Sequence, residues 1–439
     1  MRTLFLTSFS LWLSACGPGE DPLLDTVEVE VDETMLTKVT IRWTTETAST
    51  GSLAYGDDGT LSNVVSSDEA GTEHEVVIRY LRAGQDYEFE VNTDSEDGAL
   101  SSGLLSFSTG YVPSTLPAFS VTLDDENAPD MTFVGSVIST PSAPLIFDTD
   151  GYYRWWRIEE EAETIARARL SHDGETMLYL ATGSADKGSI NEVRRVNLDT
   201  GSYEALSTPM AHHDFIEFED GAITFLGQDT RVVGDTRVVG DRLVELAPDG
   251  TQTTLWSTWR DYEWDPSFEG TDGSGWSHAN AIDYIEEEDA YLLSLRNFNA
   301  IIKLDGETGE IIWQFGGDDS DFELTSGEFT TQQHQFELTE NGLLVFDNSY
   351  RFGDTSRAVE YAIDEETMTA EEIWSYVPSP GLYCFGLGDV HRLEDGNTVV
   401  TWSTSGQMDV ITPEGEVVWR MNGDLGAGFG YMTRIEPPQ

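Results

Sequence analysis

Apolar and polar side chains alternate through residues 24–110 in six short runs: VEVEVDE, KVTIRWTT, GSLAYGD, EHEVVIRYL, DYEFEVNT and LLSFST. Each run has strand length, and turn residues separate them. A period of two puts every second side chain on one face, so these runs predict a small β-sandwich. After the Pro-containing stretch GYVPSTLP (110–117) a looser four-part pattern repeats to the end of the chain. Each unit has a strand, a turn with Asp, Asn or Gly, a second strand, a third ending at a β-turn, and a fourth ending in Trp. Inner turns include Glu219-Asp220-Gly221, Glu340-Asn341-Gly342 and Glu394-Asp395-Gly396, and outer strands end in Leu255-Trp256, Ile312-Trp313, Ile373-Trp374 and Val418-Trp419. Four short strands repeating at this period are the signature of propeller blades. About six units fit: roughly 117–158, 165–207, 212–257, 278–316, 333–376 and 388–422. GFGYMTRIEPP near the C-terminus is positioned to add a strand that closes the ring. The tandem DTRVVGDTRVVG (229–240) copies a hexamer in register and reads as an extension of one hairpin.

The fold class is therefore all-β: a six-bladed β-propeller over 111–439, preceded by a small β-sandwich over 24–110. Within the sandwich, Trp43 in a strand, Leu81-Arg82-Ala83-Gly84-Gln85-Asp86-Tyr87 and the closing Phe107-Ser108-Thr109 resemble a fibronectin type III domain. The Leu-x-x-Gly-x-x-Tyr stretch is similar to the tyrosine corner of that fold. His74, in this region, reads as a surface or edge-strand residue.

Charge narrows the partners. Formal net charge is -58, from 81 acids against 23 bases. Such a surface repels nucleic acid and anionic membrane, which removes both as binding partners. The first fifteen residues, MRTLFLTSFSLWLSA, give a basic start, an apolar run and small residues, the pattern of a secretory signal too short to span a membrane. Leu13-Ser14-Ala15-Cys16 resembles the lipobox of bacterial lipoproteins. That resemblance implies cleavage before Cys16, lipidation of its thiol, and residues 16–23 as a tether. The expected location is the cell envelope, lipid-anchored on the outer membrane and facing the periplasm or the surface. Cys384, the second cysteine, is expected to stay unpaired with Cys16.

Histidine is scarce, with seven in the chain. His213, His278 and His334 each stand at the start of a blade's first strand. In a propeller these first strands line the central channel, so the three imidazoles are expected at one mouth. His212 should face away from His213 by alternation. His172 falls in a turn and should be exposed. His391, in GDVHRLEDGN, is shifted in register and should line the channel one step deeper. Arg296 ends the second strand of the His278 blade, and Arg351 and Arg357 follow that of the His334 blade. Cations aimed into the channel would need an anion to meet. Trp276, Phe298 and Phe336 could bracket an aromatic ring, or simply pack the core. Three histidines could hold Zn²⁺, but no close-spaced His or carboxylate pair supports it. No metal and no cofactor is expected, and no P-loop, dinucleotide fingerprint or GxSxG elbow is present.

The block WSHANAIDYIEEEDAYLLSLRNFNAIIKLDGETGEIIWQFGG (276–317) resembles the central motif of the bacterial arylsulfotransferases (ASST). QHQFELTENGLLVFDNS, SRAVEYAID (356–364) and GDVHRLEDGNTVVTW (388–402) are similar to further motifs of that family. Ala281 stands where the family usually has Ser, and His391 where Gln is more usual. The resemblance implies a secreted six-bladed propeller that moves a sulfuryl group from a phenolic sulfate ester to a phenolic acceptor through a sulfohistidine, without PAPS. It implies His334 as nucleophile, His213 and His278 assisting, and Arg296 on the sulfate oxygens; from their places in the blade pattern, Arg357 and His391 join them as substrate-binding candidates. The partners are then a small aryl sulfate and a phenol. Two other classes stay open at this point: a non-catalytic ligand-binding propeller lipoprotein at the cell surface, and a quinoprotein-like oxidoreductase.

Overall fold

The computed structural model describes residues 11–13 and 24–435, apart from 96, 97, 127, 139, 140, 161, 163, 184–189, 265–274, 350–354, 425 and 427. Cys16 and Arg351 lie outside the described residues. Among them no helix is long and apolar enough to cross a membrane.

The chain divides into two compact units. The first comprises 1–113, 152–156 and 437–439. Its centre is the long strand Val39–Gly56. The first half of that strand pairs with Leu24–Val31, the second half with Asp86–Ser95, and Asn63–Ile78 runs beside both. Register shifts between Thr44 and Gly51 mark the bend between the halves. Alternation along the strand buries Val39, Ile41, Trp43 and Leu53 in one core with Tyr87, Phe89 and Val91. The Tyr87 hydroxyl accepts a hydrogen bond from the Arg82 N–H at 2.9 Å. His74 is not a surface residue. It is 5% exposed, stacks on Trp43 with ring centroids 5.0 Å apart, and bonds Ser49 Oγ at 3.2 Å. The broad indole face opposite gives the imidazole a flat apolar seat, a neighbour that lies on another strand and is invisible in local sequence.

The second unit comprises 114–151 and 157–436, with its strands in six radially repeated sheets. Five have the order expected from sequence, from Thr164–Leu170 in the second blade to Val417–Gly423 in the sixth. Inner strands are buried on both faces and so read as continuous apolar runs: all six residues of Ala290–Leu295 are buried. Outer strands alternate, as in Thr369–Tyr376. The Trp that ends the outer strand wedges between neighbouring blades; Trp256, Trp313 and Trp419 are each 1% exposed. Burying such a side chain contributes about 2–3 kcal/mol.

Ring closure uses both ends of this unit. Phe119–Asp124 is not a strand of the first blade but the outermost strand of the sixth, antiparallel to Val417–Gly423. Thr433–Ile435 pairs with Thr132–Val137 and supplies an inner strand to the first blade, as the C-terminal sequence suggested. The tandem hexamer lengthens the hairpin of Ile223–Val233 and Thr236–Leu246, with the turn at Gly234 and Asp235.

Candidate functional site

Each first strand begins irregularly at the channel mouth. His213 has φ +57° and His278 φ +50°, both in the left-handed region, which costs a non-glycine residue about 1–3 kcal/mol when the surroundings impose it. The pairing register shifts at the same places, between Ala211 and Phe215 and between Ala279 and Ala281. In the fifth blade the left-handed residue is Gln332 (φ +53°), two residues before His334. The three histidines therefore do not share one backbone register, yet their rings converge. One ring nitrogen from each lies within 4.8 Å of the others. His213 and His278 meet edge to face with centroids 4.9 Å apart, and His334 is 6.3 Å from His213 and 6.4 Å from His278.

His334 is 2% exposed and its ring is oriented from behind. Its Nδ1 lies 2.8 Å from Asn348 Oδ1. The Asn348 amide cannot be turned over, because its Nδ2 donates to the carbonyls of Cys384 and Leu387, both at 2.8 Å. Oδ1 is thus the acceptor, His334 carries its proton on Nδ1, and Nε2 is left with a lone pair. Gly388 completes the cradle. Its φ is +115°, and a Cβ there would overlap the Phe346 ring at 2.2 Å. The segment before His334 is tied to the fourth blade: Gln333 donates to Ser294 Oγ (3.1 Å) and Ala300 O (2.9 Å), and Asn280 donates to Gln333 O (2.8 Å).

Arg296 follows Ala290–Leu295 in a 3₁₀ turn and is 7% exposed. Its main-chain N–H donates to His278 O (3.1 Å), and its guanidinium donates to Asn297 Oδ1 (3.0 Å) and weakly to Gln332 Oε1 (3.5 Å). These partners are neutral amides. Burial, the neighbouring His278 and the Arg296 charge push the His334 pKa down to about 3, against the weaker opposing pull of Asn348. Burial, the other three histidines and Arg296 likewise hold His213 well below its ordinary value.

The same mouth holds a group that sequence alternation misplaced. His212 does not face away: its Nδ1 is 2.9 Å from His213 Nδ1, because the left-handed turn at His213 breaks the alternation. Its Nε2 lies 3.0 Å from Asp241 Oδ1. Asn348, Gln332 and Asp241 were not singled out from sequence, and His212 only as a residue facing away. Asn348 was within reach, since pairing Phe336 with Val345 across the Asn341-Gly342 turn sets His334 beside residues 347–348.

Other candidates lie elsewhere. Arg357 is not brought into the cluster. It is 1% exposed and committed to Asp347 (2.9 Å) and Glu372 (3.0 Å), with Glu328 O and Tyr361 Oη also bound. Strand pairing of Asp347 with Arg357 creates that ion pair. His391 is also apart, between Glu337 (3.3 Å) and Asp389 (3.3 Å). It lines a cavity of about 420 Å³ toward the far ends of the first strands, with Arg169, Asp283 and Gln335. Arg167 also lines this cavity; it is buried, bidentate on Asp214 (2.7 and 3.0 Å), the residue after His213, and lies over the Tyr431 ring at 4.2 Å. His172 is exposed, as expected. Trp276, Phe298 and Phe336 are 1%, 7% and 1% exposed and pack in the blade cores; core packing accounts for all three. Cys384 is free and buried.

As donors, three neutral imidazoles are chemically able to ligate a transition metal. A tetrahedral zinc with bonds of about 2.0–2.1 Å needs its nitrogens roughly 3.4 Å apart, and here they lie within 4.8 Å of one another. A buried guanidinium beside them opposes a dication. The same set suits an anion: a fixed cation and ring nitrogens aimed at one point, in a protein whose net charge is -58.

Fold and site together define a six-bladed propeller with an imidazole and guanidinium cluster at one channel mouth. The arylsulfotransferase (ASST) family profile matches residues 120–422, well over half the chain, and the chain belongs to that family. At the level of the family this makes it an aryl sulfotransferase acting on small aryl substrates. No curated protein matches it. Among solved structures it is similar to a protein of unknown function from Bacteroides caccae (13% identity, 71% of this chain and 100% of that one, TM-score 0.44). It is similar too to the Pseudomonas aeruginosa periplasmic gluconolactonase (12%, 89% and 100%, 0.38) and to virginiamycin B lyase from Staphylococcus aureus (14%, 62% and 69%, 0.34). At these scores the likenesses bear no weight on function.

Proposed function

We propose that the protein transfers a sulfuryl group from a phenolic sulfate ester to a phenol by a ping-pong route with His334 as the nucleophile. The observation that carries this reading is the Asn348 cradle, which holds the His334 proton on Nδ1 and leaves the Nε2 lone pair free and buried beside Arg296. Nε2 attacks sulfur; the S–N bond forms as the S–O bond to the phenol breaks, and the phenolate leaves with that electron pair. Arg296 and His278 stabilise the equatorial sulfate oxygens as charge builds on them. His213 delivers a proton to the phenolate, then takes one from the acceptor phenol. The acceptor oxygen attacks sulfur, S–N breaks, and His334 returns to its starting tautomer. No cofactor enters these steps.

The assignment of Cys16 as a lipidated anchor, of 24–110 as a fibronectin type III-like sandwich, and of the cell envelope as the location belongs to the same proposal. It rests on the lipobox-like Leu13-Ser14-Ala15-Cys16 and the tyrosine-corner spacing. The test of the enzymatic reading is His334→Asn, assayed for transfer from a chromogenic aryl sulfate to phenol. Loss of transfer in a folded variant supports it. Full turnover removes His334 as nucleophile.

A further inference from the structure

His213 poses a chemical difficulty for the reaction proposed above. Surrounded by His278, His334, His212 and Arg296, it is a poor place to keep a proton. A proton must nevertheless reach the leaving phenolate. The residues behind it supply a route.

Asp241 is buried, and its Oδ2 accepts from Ser277 Oγ (2.5 Å) and the Ala279 N–H (2.8 Å). Burial disfavours its charge, but these bonds and His212 outweigh burial and hold its pKa below the ordinary value. An unprotonated His212 Nε2 would set a lone pair against this carboxylate at 3.0 Å. Nε2 therefore carries the hydrogen, in a bent contact with Oδ1. In neutral His212 the Nδ1 is then an acceptor, so the 2.9 Å contact requires His213 to donate from its own Nδ1. That leaves His213 Nε2 as its basic nitrogen.

We propose that Asp241, His212 and His213 form a proton relay for the sulfotransfer reading, with His212 storing the proton that His213 delivers. The His212 side chain is 17% exposed, so the ring has an edge toward solvent. With the donor bound, a proton taken up from water resides on His212, paired with Asp241. His213 passes its Nε2 proton to the departing phenolate and recovers one at Nδ1 from His212. The acceptor phenol reverses the sequence, so protons balance over the cycle. Asp241 and His212 act through His213 and are positioning residues.

The test is single-turnover sulfohistidine formation from a series of aryl sulfates, donor only, in wild type, His212→Gln and Asp241→Asn. A relay matters in proportion to how badly the leaving phenolate needs a proton. We expect a loss of about 10²-fold or more with phenyl sulfate and little loss with 4-nitrophenyl sulfate, whose phenolate leaves unaided. His212→Gln keeps Asp241 and its bonds to Ser277 and Ala279, so it remains informative if Asp241→Asn does not fold. Equal losses across the series, or none, overturn the relay while leaving His334 as nucleophile. Absence of sulfohistidine in wild type with every donor overturns the sulfotransfer reading itself.

Discussion

Replacing Asn348 with Leu tests the origin of nucleophilicity at His334. The side chains are close in size, but Leu offers no acceptor to His334 Nδ1 and no donor to the carbonyls of Cys384 and Leu387. A buried group left unsatisfied costs about 1–3 kcal/mol. The tautomer with its proton on Nδ1 loses that much advantage, and the proton shifts onto Nε2, the atom that must attack. At about 1.4 kcal/mol per factor of ten, sulfohistidine formation should slow by roughly 10- to 100-fold. Loss of the Asn348 donor to both carbonyls should lower the melting temperature as well, so the assay is run well below the variant's transition. Rapid quench with a chromogenic donor followed by intact-mass measurement gives the rate. A folded variant that forms sulfohistidine as fast as wild type refutes the tautomer argument.

Further outcomes follow from the geometry. His334 titrates near 3, below its unfolded value of about 6.5, so it stays neutral as pH falls through that range; sulfohistidine formation from 4-nitrophenyl sulfate should show no loss around pH ~6.5. By the same sign, the unfolded state takes up a proton first, and stability owed to this group falls as pH drops from ~6.5 toward 3. Arg296→Met should cut kcat/KM for the donor by about 10²–10³-fold, read from initial rates. Arg357→Met strands the buried Asp347 carboxylate, so it should lose about 3–5 kcal/mol in urea unfolding with KM little changed; a large KM effect on a stable variant would restore Arg357 to the site. His391 is disfavoured by burial, yet Asp389 and Glu337 raise it to about 10. Its stabilisation is full below pH ~6.5 and lost as pH rises toward 10, so the melting-temperature gap between wild type and His391→Gln should shrink over that window.

The propeller was legible because each blade repeats the same burial problem: apolar inner strands, alternating outer strands and a terminal Trp. The convergence of His213, His278, His334 and Arg296 was legible because first strands must meet at the axis. What escaped were relations between segments remote in sequence. Phe119–Asp124 alternates like any first strand, and only its pairing with Val417–Gly423 assigns it to the last blade. Arg357 reads as a free cation until strand pairing sets Asp347 beside it. His212 was turned the wrong way because strict alternation fails at a left-handed residue, which sequence does not announce when that residue is a histidine. His74 was placed at the surface because the Trp43 face that covers it comes from a neighbouring strand.

The most direct measurement mixes the protein with an aryl sulfate and no acceptor, then maps the modified peptide by mass spectrometry. One SO₃ group should be found on His334, bonded at Nε2, discharged on adding phenol and absent in His334→Asn. An unmodified protein, or a sulfo group retained in the His334→Asn variant, would contradict the mechanism.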